Sequence, residues 1–497
     1  MSWPMSNTPT PEPTSRILDI FKTSSIHSIG TFLNKFLLLS LVPLYSHLLP
    51  TTDTGLIGLM DTTEQFLIAF LILGQGQAFV WQFKQEPDPE ALTRLFSTSM
   101  WFMVFISTMG IGALVLFSEQ TAPLILNTAH PLQGLAFAWM MVSLFLRNLQ
   151  SLSVNYLRAD RKALSLETAN FIGTALFVGL NFVLLYWFKT GVSAILATRL
   201  LLLLPVLVVA GWFARPYLRF QLDLGVLRKM LRYGLPITLA AMAYPILNFA
   251  DRYMITALID PSGNLNGIYE ISYKFGMIPS MILVGPFLQA WQPALYDKAD
   301  DASRNEVYRR MLLYVTFAGA TLWLGLSVMR TELLHVFSTP AYYSGSAIIP
   351  WVAASNVFYG LGWIVVAGLA VQSKTVFMGV WTALAALINI LLNLWWLPIW
   401  GMMGAAYATT VAFILIFIGF AVYSKIKLNI SFPYARWFLL CTIAWIGYTI
   451  VDKIIVIPNL FLSVILKSLL CFPVIFLMAF VVGLRRPQDL QAILKQK

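Results

Sequence analysis

Residues 374–409 read KTVFMGVWTALAALINILLNLWWLPIWGMMGAAYAT and contain one charged side chain, Lys374. Two apolar runs lie on either side of the turn-forming segment from Pro398 to Gly401. A helix needs about 20 mostly apolar residues to cross the hydrocarbon of a bilayer; the first run, 375–397, reaches that length, and the second continues beyond the quoted stretch to residue 424. The stretch therefore predicts two membrane-spanning helices joined by a tight turn.

The whole chain has the same character. Only 11% of its 497 residues are Asp, Glu, Lys or Arg, 58% are hydrophobic, and the mean hydropathy is +0.75. A soluble domain is roughly a quarter charged, so the composition excludes most soluble folds. Apolar runs bounded by charge, Pro or Gly predict fourteen spans, at 25–49, 55–83, 97–118, 132–157, 164–188, 191–214, 234–259, 267–296, 310–330, 346–371, 375–397, 402–424, 434–452 and 459–484.

The positions of the basic residues predict how the chain is oriented. Of the 33 Lys and Arg, 24 fall on one side of the predicted spans, six fall within spans, and only Lys189, Arg330 and Lys453 fall on the other side. Loops rich in Lys and Arg stay in the cytoplasm. We therefore expect both termini to be cytoplasmic. The basic excess is mostly an orientation signal, so no nucleic acid partner is expected.

The spans divide the chain into predicted segments. These are a cytoplasmic tail (1–24), a first lobe of six spans (25–214), an interfacial linker helix (215–233), a second lobe of six spans (234–424), two C-terminal spans (434–484) and a second cytoplasmic tail (485–497). The linker mixes Leu, Val and Met with Arg and Lys at roughly helical spacing, which is typical of an amphipathic helix at a membrane surface. The first tail lacks the cationic and apolar regions of a signal peptide.

The two predicted lobes repeat each other at an offset of about 212 residues. Matching positions are Gly55 and Gly267, Lys162 and Lys374, Asn181 and Asn393, and Thr198 and Thr409, the last pair at an offset of 211. A repeat of six spans keeps its orientation in the membrane. The halves should therefore be related by an axis along the membrane normal, with a cavity between them. The predicted fold class is all-α, with about 14 transmembrane helices in two six-helix lobes plus two C-terminal helices.

The stretch quoted first resembles a known family. Its paired asparagines, Asn389 and Asn393, its Pro-x-x-Gly turn and the following segment from Gly404 to Thr409 are similar to those of polysaccharide flippases. These belong to the multidrug/oligosaccharidyl-lipid/polysaccharide exporter superfamily, which includes the O-antigen and lipid II flippase branches.

Span 7 and span 8 extend the resemblance, which covers roughly residues 16–430. Phe249-Ala-Asp251-Arg252 looks like the Asp-bearing helix of the family, and Gly267-Ile-Tyr269 looks like its Gly-x-Tyr helix entry. The first half departs from the pattern, because Lys189-Thr-Gly191 replaces the Pro-x-x-Gly turn and Leu39-Ser40 stands where span 7 has Asp251-Arg252.

The resemblance implies transport, not catalysis. It implies a flippase that moves an undecaprenyl-diphosphate-linked oligosaccharide across the bacterial cytoplasmic (inner) membrane by alternating access. The step serves surface polysaccharide biosynthesis, such as that of lipopolysaccharide. The expected partners are the lipid-linked oligosaccharide and membrane lipids, with a polysaccharide polymerase and a chain-length regulator as further candidates. No cofactor is expected apart from a coupled proton or Na⁺.

Cations inside the predicted spans are candidate ligands for the diphosphate. An ionised side chain at mid-bilayer costs several kcal/mol unless it is paired or faces water, and Arg binds phosphate oxygens with a planar fork. Internal pairing is the alternative, with Arg252 or Lys274 bound to Glu270, or Asp61 bound to a neighbouring cation. The candidates are Lys35, Arg147, Arg199, Arg252 and Lys274. Replacement of Arg252 or Lys274 by Ala is expected to abolish export without loss of the folded protein.

Carboxylates inside the spans are candidates for proton or Na⁺ coupling. Asp61 and Glu64 share one face of span 2 because they are three residues apart. Asp251 on span 7 and Glu270 on span 8 complete the predicted set. For Asp61, a solvated helix end is the alternative interpretation.

Two other functions compete with the flippase. A membrane glycan polymerase or ligase would need acid/base residues in a sizeable outer loop or His within the membrane, and the sequence offers only His27, His47, His130 and His335 and no long outer loop. A cation-coupled multidrug antiporter predicts an apolar, acid-lined cavity. The embedded cations favour an anionic cargo over a drug.

Overall fold

A computed structural model of the protein describes residues 29–83, 88–126, 130–160, 162–288, 301–366, 375–428, 432–454 and 459–483. Within these ranges the chain consists of helices and short connections and has no strand. In lipid every backbone polar group must be satisfied internally, which a helix achieves by itself. The predicted all-α fold is confirmed. The predicted cytoplasmic tails, 1–24 and 485–497, lie outside the described ranges.

Helices follow all fourteen predicted spans. In chain order they are Ile29–Leu48 (span 1), Thr51–Ile72 with Gln75–Phe83 (span 2), Pro89–Leu116 (span 3), Gln133–Ala159 (span 4), Ala163–Tyr186 (span 5), Val192–Tyr217 (span 6), Leu224–Ala241 with Ala243–Leu258 (span 7), Asn264–Gly276 with Ser280–Leu288 (span 8), Tyr308–Val328 (span 9), Pro340–Val365 (span 10), Phe377–Trp400 (span 11), Met402–Lys427 (span 12), Tyr434–Ile454 (span 13) and Leu460–Val482 (span 14). Twelve are single helices long and apolar enough to cross a membrane, and span 8 adds a thirteenth as a pair bent by 43°. Span 7 does not pass that test, because its first helix carries Arg228, Lys229 and Arg232 and its second is only 16 residues long.

The repeat is visible as a symmetric contact between span 2 and span 8. Gly55 packs against the backbone of Gly263, and Gly267 packs in the same way against the backbone of Thr51. Each glycine thus meets the residue four positions before the other glycine, and these two residues, Thr51 and Gly263, correspond to each other at the 212-residue offset. Such a reciprocal contact places an approximate two-fold axis between the two helices. A β-carbon at either glycine would collide with the opposing carbonyl oxygen.

The repeated Asn and Thr residues link the last two helices of each lobe. In the first lobe the Asn181 side-chain amide donates to the Thr198 hydroxyl at 3.0 Å. In the second lobe Asn389 reaches Thr409 at 3.4 Å, while Asn393 donates to the Asn389 carbonyl oxygen at 2.9 Å. A buried amide needs such a partner inside an apolar bundle. The Asn-to-Thr link is therefore common to both lobes, but different asparagines make it.

The linker between the lobes differs from the single interfacial helix expected over 215–233. It begins with a short 3-10 turn, Arg215–Tyr217, and passes through extended backbone to Asp223, whose carboxylate accepts hydrogen bonds from the amides of Gly225 and Val226. This N-cap starts the Leu224–Ala241 helix, so the amphipathic residues form the first turns of span 7. The Ser97 hydroxyl on span 3 donates to the carbonyl of Tyr217 and holds the extended part against the first lobe.

Spans 13 and 14 pack on the second lobe. Arg330 forms a bidentate ion pair with Asp452 on span 13 at 2.6 and 2.9 Å. Lys467 on span 14 donates to Glu332 at 2.6 Å and to the carbonyl of Val328 at 3.0 Å. Burial disfavours the Glu332 carboxylate, but the hydrogen bonds from Lys467 and its neighbours outweigh this and lower the pKa of Glu332 below its usual value. The two additional spans are therefore anchored to the second lobe by charge pairs.

Candidate functional site

A cavity of about 360 Å³ lies between the first lobe and span 8. It holds most of the charged side chains that the sequence predicted inside the spans. The side chains that line it are Lys35, Leu38, Leu39, Leu41, Tyr45, Ile57, Asp61, Glu64, Gln65, Arg147, Phe177, Ile195, Arg199, Leu202, Lys274, Met277 and Met281. Four cations and two carboxylates share this wall. Among the described residues that line the cavity, the charge is therefore positive by two.

Glu64 on span 2 bridges two arginines of the cavity wall. Its Oε2 lies 3.1 Å from Arg147 Nη2 on span 4, and its Oε1 lies 3.5 Å from Arg199 Nη2 on span 6. Arg199 also forms a close ion pair with Asp61, one turn before Glu64. The predicted pairing of Asp61 with a neighbouring cation is present, and the partner is Arg199. Three spans of the first lobe are thus joined by one charge network.

The two arginines of this network keep unused hydrogen-bonding capacity. The Nε atoms of Arg147 and Arg199 are buried and have no hydrogen-bond partner among the described residues. A buried donor without a partner is costly. An anion in the cavity could accept hydrogen bonds from these guanidinium groups, because phosphate oxygens match their fork geometry.

The two lysines of the cavity come from span 1 and span 8. Lys274 lies 3.6 Å from Glu270, one turn before it, as the alternative interpretation expected, and its ammonium lies 5.8 Å from the centre of the Tyr45 ring. Lys35 forms no ion pair with any residue that the structure describes, and its ammonium approaches Gly285 on span 8. Lys35 is therefore the cation of the cavity with the least internal neutralisation.

Arg252 is the one predicted cation that does not line the cavity. Its side chain is 2% exposed, and its guanidinium donates to Asp251 at 2.8 Å, to Glu270 at 3.3 Å and to the carbonyl of Asn248 at 2.6 Å. The Tyr273 ring stacks on it at 3.9 Å. The predicted pairing with Glu270 is present. Protein acceptors therefore bind the Nε, Nη1 and Nη2 atoms of the guanidinium, and the contact with Glu270 holds span 7 to span 8.

Two of the four predicted coupling carboxylates, Asp251 and Glu270, contact Arg252 and do not line the cavity, although Glu270 also pairs with the cavity residue Lys274. Asp251 is almost fully buried, and its second oxygen accepts a hydrogen bond from Tyr269 at 2.5 Å. Glu270 packs against Gly58 of span 2, where a β-carbon would come within 3.2 Å of the glutamate side chain. We call Asp251, Arg252, Glu270, Tyr269 and Tyr273 the sealed cluster. Of the predicted coupling residues, Asp61 and Glu64 are the ones that line the cavity.

Several residues near the charges were missed by sequence reasoning. Tyr45 and Gln65 line the cavity, and Tyr273 covers Arg252. For Tyr269 and Tyr273 the sequence holds a usable signal, because residues four apart share one helix face and Glu270 and Lys274 repeat the same spacing. Nothing in the spacing of Tyr45 or Gln65 distinguishes them from other residues of their spans.

Polar contacts close the two lobes together at the predicted outer end. Ser46 donates to the carbonyl of Phe337 at 2.9 Å, Thr54 contacts the hydroxyl of Tyr342 at 3.2 Å, and Asn266 donates to the Gly55 carbonyl at 3.1 Å. The symmetric glycine contact lies in the same region. We call this set of contacts the outer seam. At the predicted inner end, spans 2 and 7 also meet, through Gly74 and Gly234 and through stacking of Trp81 on Tyr233 at 4.8 Å.

Comparisons with known proteins agree with this architecture. A family model described as "Polysaccharide biosynthesis protein" matches residues 46–346. The solved structure of lipid II flippase MurJ in an inward closed conformation has a TM-score of 0.75 and 15% identity, over 93% of this chain and 99% of that chain. An inward-facing multidrug resistance MATE family transporter of the MOP superfamily has a TM-score of 0.61 and 13% identity, over 82% of this chain and 94% of that chain. No curated protein matches the sequence.

Proposed function

The chain belongs to the polysaccharide biosynthesis protein family, and on that premise we propose that it flips an undecaprenyl-diphosphate-linked oligosaccharide across the membrane by alternating access. It is a multi-pass membrane protein with the fold of the lipid II flippase and of the MATE transporters. The predicted resemblance to the exporter superfamily is confirmed by the family match.

The observation that carries the proposal is the charge of the cavity. Four cations, Lys35, Arg147, Arg199 and Lys274, line it against the carboxylates of Asp61 and Glu64. Lys274 is also paired with Glu270, which leaves Lys35 as the cation without an ion pair among the described residues. Uncompensated positive charge at membrane depth is costly unless an anion or water shares the space. A diphosphate supplies the missing negative charge and accepts hydrogen bonds from two arginines. The polyprenyl tail stays in the bilayer while the diphosphate occupies the cavity.

The membrane potential favours outward movement of this cargo. Moving two negative charges out of an inside-negative cell across about 100 mV lowers the free energy by roughly 4–5 kcal/mol if no cation moves with them. Proton or Na⁺ coupling would then serve mainly to reset the empty carrier. Asp61 and Glu64 are the carboxylates placed for that role, because they line the cavity, whereas Asp251 and Glu270 are engaged by Arg252.

The biological setting forms part of the same proposal. The protein acts in the bacterial inner membrane with both termini in the cytoplasm, and its product feeds a surface polysaccharide such as lipopolysaccharide. A polymerase and a chain-length regulator are its proposed partners. The function is transport without covalent chemistry on the glycan.

Flipping in proteoliposomes tests the proposal. Protein is reconstituted with a fluorescent undecaprenyl-diphosphate-linked sugar, and loss of the label to an external quencher reports transfer between leaflets. The double variant Arg147→Gln, Arg199→Gln should flip about 100-fold more slowly, since each lost charge-assisted contact is worth about tenfold. Wild-type protein that transfers no diphosphate lipid, or a double variant as fast as wild type, would contradict the proposal.

An imposed potential tests the driving force in the same vesicles. A potassium gradient and an ionophore set the potential. The diphosphate lipid should then flip faster towards the positive side of the membrane than it does without a potential. A rate that ignores the potential but follows a pH gradient would show that proton coupling, and not the headgroup charge, drives transport.

A multidrug antiporter is the second candidate, because MATE transporters share the fold and the partly exposed Asp61 puts an acid in the cavity. Drug-sensitivity profiling of a deletion strain separates the two functions. Hypersensitivity to cationic drugs with normal surface polysaccharide would favour the antiporter.

A further inference from the structure

The two carboxylates of the cavity lie one turn apart on span 2 but are held in different ways. The Glu64 side chain is 2% exposed and is shared between Arg147 and Arg199. The Asp61 side chain is 44% exposed and is bound to Arg199 alone. Both carboxylates therefore pair with the guanidinium of Arg199, but Glu64 is buried and Asp61 is partly exposed.

Glu64 is fixed by its surroundings. If it left its place, two guanidinium groups would lose a partner, and a buried carboxylate would be left without one. Its Oε2 lies 3.1 Å from Arg147 Nη2 and its Oε1 lies 3.5 Å from Arg199 Nη2; Oε1 makes no hydrogen bond with a described residue, so its contact with Arg199 is ionic. Glu64 therefore holds a pair of phosphate-binding groups in a defined geometry.

Asp61 can leave its place when another anion takes over its contact with Arg199. Water can reach the carboxylate of Asp61, whose side chain is 44% exposed, but the Arg199 side chain is only 7% exposed and needs a replacement partner. A carboxylate and a phosphate present equivalent oxygens to a guanidinium. Asp61 therefore occupies the Arg199 Nη2 position that a phosphate oxygen of the cargo would take.

From this asymmetry we propose that Asp61 is an internal substitute for the phosphate of the cargo, while Glu64 is a positioning residue for the two arginines. Asp61 pairs with Arg199 in the empty carrier, gives way when the diphosphate enters, and returns when it leaves. The inference rests on the proposed function, because it takes the cargo to be an anion bound at Arg199.

The exchange accounts for how an empty, basic cavity can change its orientation. A guanidinium without an anion is costly inside a membrane, so an empty carrier with a bare Arg199 would resist any step that dehydrates the cavity. Asp61 neutralises Arg199 in the structure, and in the proposed cycle the diphosphate takes over that role when cargo is bound. Removal of the Asp61 charge should therefore strengthen cargo binding and slow the return of the carrier.

Isosteric variants that remove the same charge from adjacent turns provide the test. Full-length protein in detergent is titrated with inorganic pyrophosphate by isothermal calorimetry. Asp61→Asn should bind about tenfold more tightly than wild type, because one charge-assisted competitor is gone. Glu64→Gln should bind about tenfold more weakly, because the arginines lose their spacing. We therefore expect the two variants, which lose the same charge, to change the affinity for pyrophosphate in opposite directions.

Other outcomes overturn the inference in distinguishable ways. Tighter binding in both variants shows a general charge effect, and unchanged or weaker binding in Asp61→Asn shows that Asp61 does not compete. In the double variant Asp61→Asn, Arg199→Gln, the tighter pyrophosphate binding given by Asp61→Asn must be lost. This double variant tests whether Asp61 competes at Arg199 even if Glu64→Gln fails to fold. If wild type and all variants fail to bind pyrophosphate, the proposed function fails along with the inference.

A transport measurement shows whether Asp61 competes with the cargo during the transport cycle or whether its replacement only strengthens cargo binding. In the vesicle assay Asp61→Asn should reach half-maximal rate at a lower concentration of diphosphate lipid but with a lower maximal rate. A variant with both a lower half-saturating concentration and an unchanged maximal rate would show that Asp61 plays no part in the return step.

Discussion

The cavity and the sealed cluster contain the same kinds of side chain and differ in what surrounds them. Arg199 in the cavity and Arg252 in the cluster each contact two carboxylates. Arg252 also binds a backbone carbonyl and lies under an aromatic ring, whereas the Nε of Arg199 has no hydrogen-bond partner among the described residues.

The difference shows that unused hydrogen-bonding capacity, and not the presence of charge, separates a binding group from a structural one. A guanidinium with every direction filled holds helices together, and its removal leaves buried carboxylates uncompensated. A guanidinium with a free donor can take up a ligand. The expectation that Arg252→Ala would spare the folded protein therefore changes with the structure.

The largest expected effect comes from breaking the sealed cluster. Arg252→Met should destabilise the protein by about 3–5 kcal/mol, because Asp251 and Glu270 remain buried without their cation. Thermal unfolding of the purified protein measures the change. Arg147→Met is the matched control and should cost clearly less, since Arg147 is partly exposed. Equal losses would show that the two regions do not differ as described.

An intermediate effect is expected at the outer seam, which lies beside both regions. In Gly267→Ala the added methyl collides with the Thr51 carbonyl and comes within 2.5 Å of the Thr54 hydroxyl. The overpacking should cost about 1–3 kcal/mol and hold the lobes apart at that end. In a cysteine-free background, a cysteine placed at Thr54 should react faster with an impermeant maleimide when Gly267→Ala is present than when Gly267 is retained.

A glycine with free space provides the control for this experiment. A β-carbon at Gly179 on span 5 meets no atom of the described residues within 4 Å. Gly179→Ala should leave the labelling rate at Thr54 unchanged. Faster labelling in both variants would attribute the effect to glycine replacement in general.

The smallest expected effect on stability belongs to Lys35. Lys35→Gln breaks no ion pair with a described residue, so the free energy of unfolding should change by less than about 0.5 kcal/mol. Flipping of diphosphate lipid should still fall, by about tenfold, because the cavity loses one of its four cations. Normal transport in this variant would show that Lys35 does not contact the cargo.

Much of the fold could be predicted from the sequence. The apolar runs gave the positions of all fourteen spans, because hydrocarbon thickness fixes the length of a spanning helix. The 212-residue offset predicted the symmetric arrangement that Gly55 and Gly267 display. The linker was harder, since an amphipathic pattern does not reveal that Asp223 would start a helix continuous with span 7.

The candidate site could be predicted in part. Four of the five chosen cations line the cavity, because charge in a membrane bundle has few other places to lie. The pairing of Arg252 with Glu270 was one of the two predicted interpretations, but the placement of Arg252, Asp251 and Glu270 outside the cavity wall could not be predicted. It depends on the rotation of spans 7 and 8 relative to each other, and a sequence pattern constrains that rotation weakly.

The sequence by itself determined the all-α fold, the approximate positions of the helices and the repeat, because each follows from local apolarity and spacing. Only the tertiary structure decided which charges pair and which face the cavity. Glu64 meets Arg147 and Arg199 across separations of 83 and 135 residues. Such contacts depend on how whole helices pack and rotate, and the free energy of a buried charge depends on those neighbours more than on its own identity.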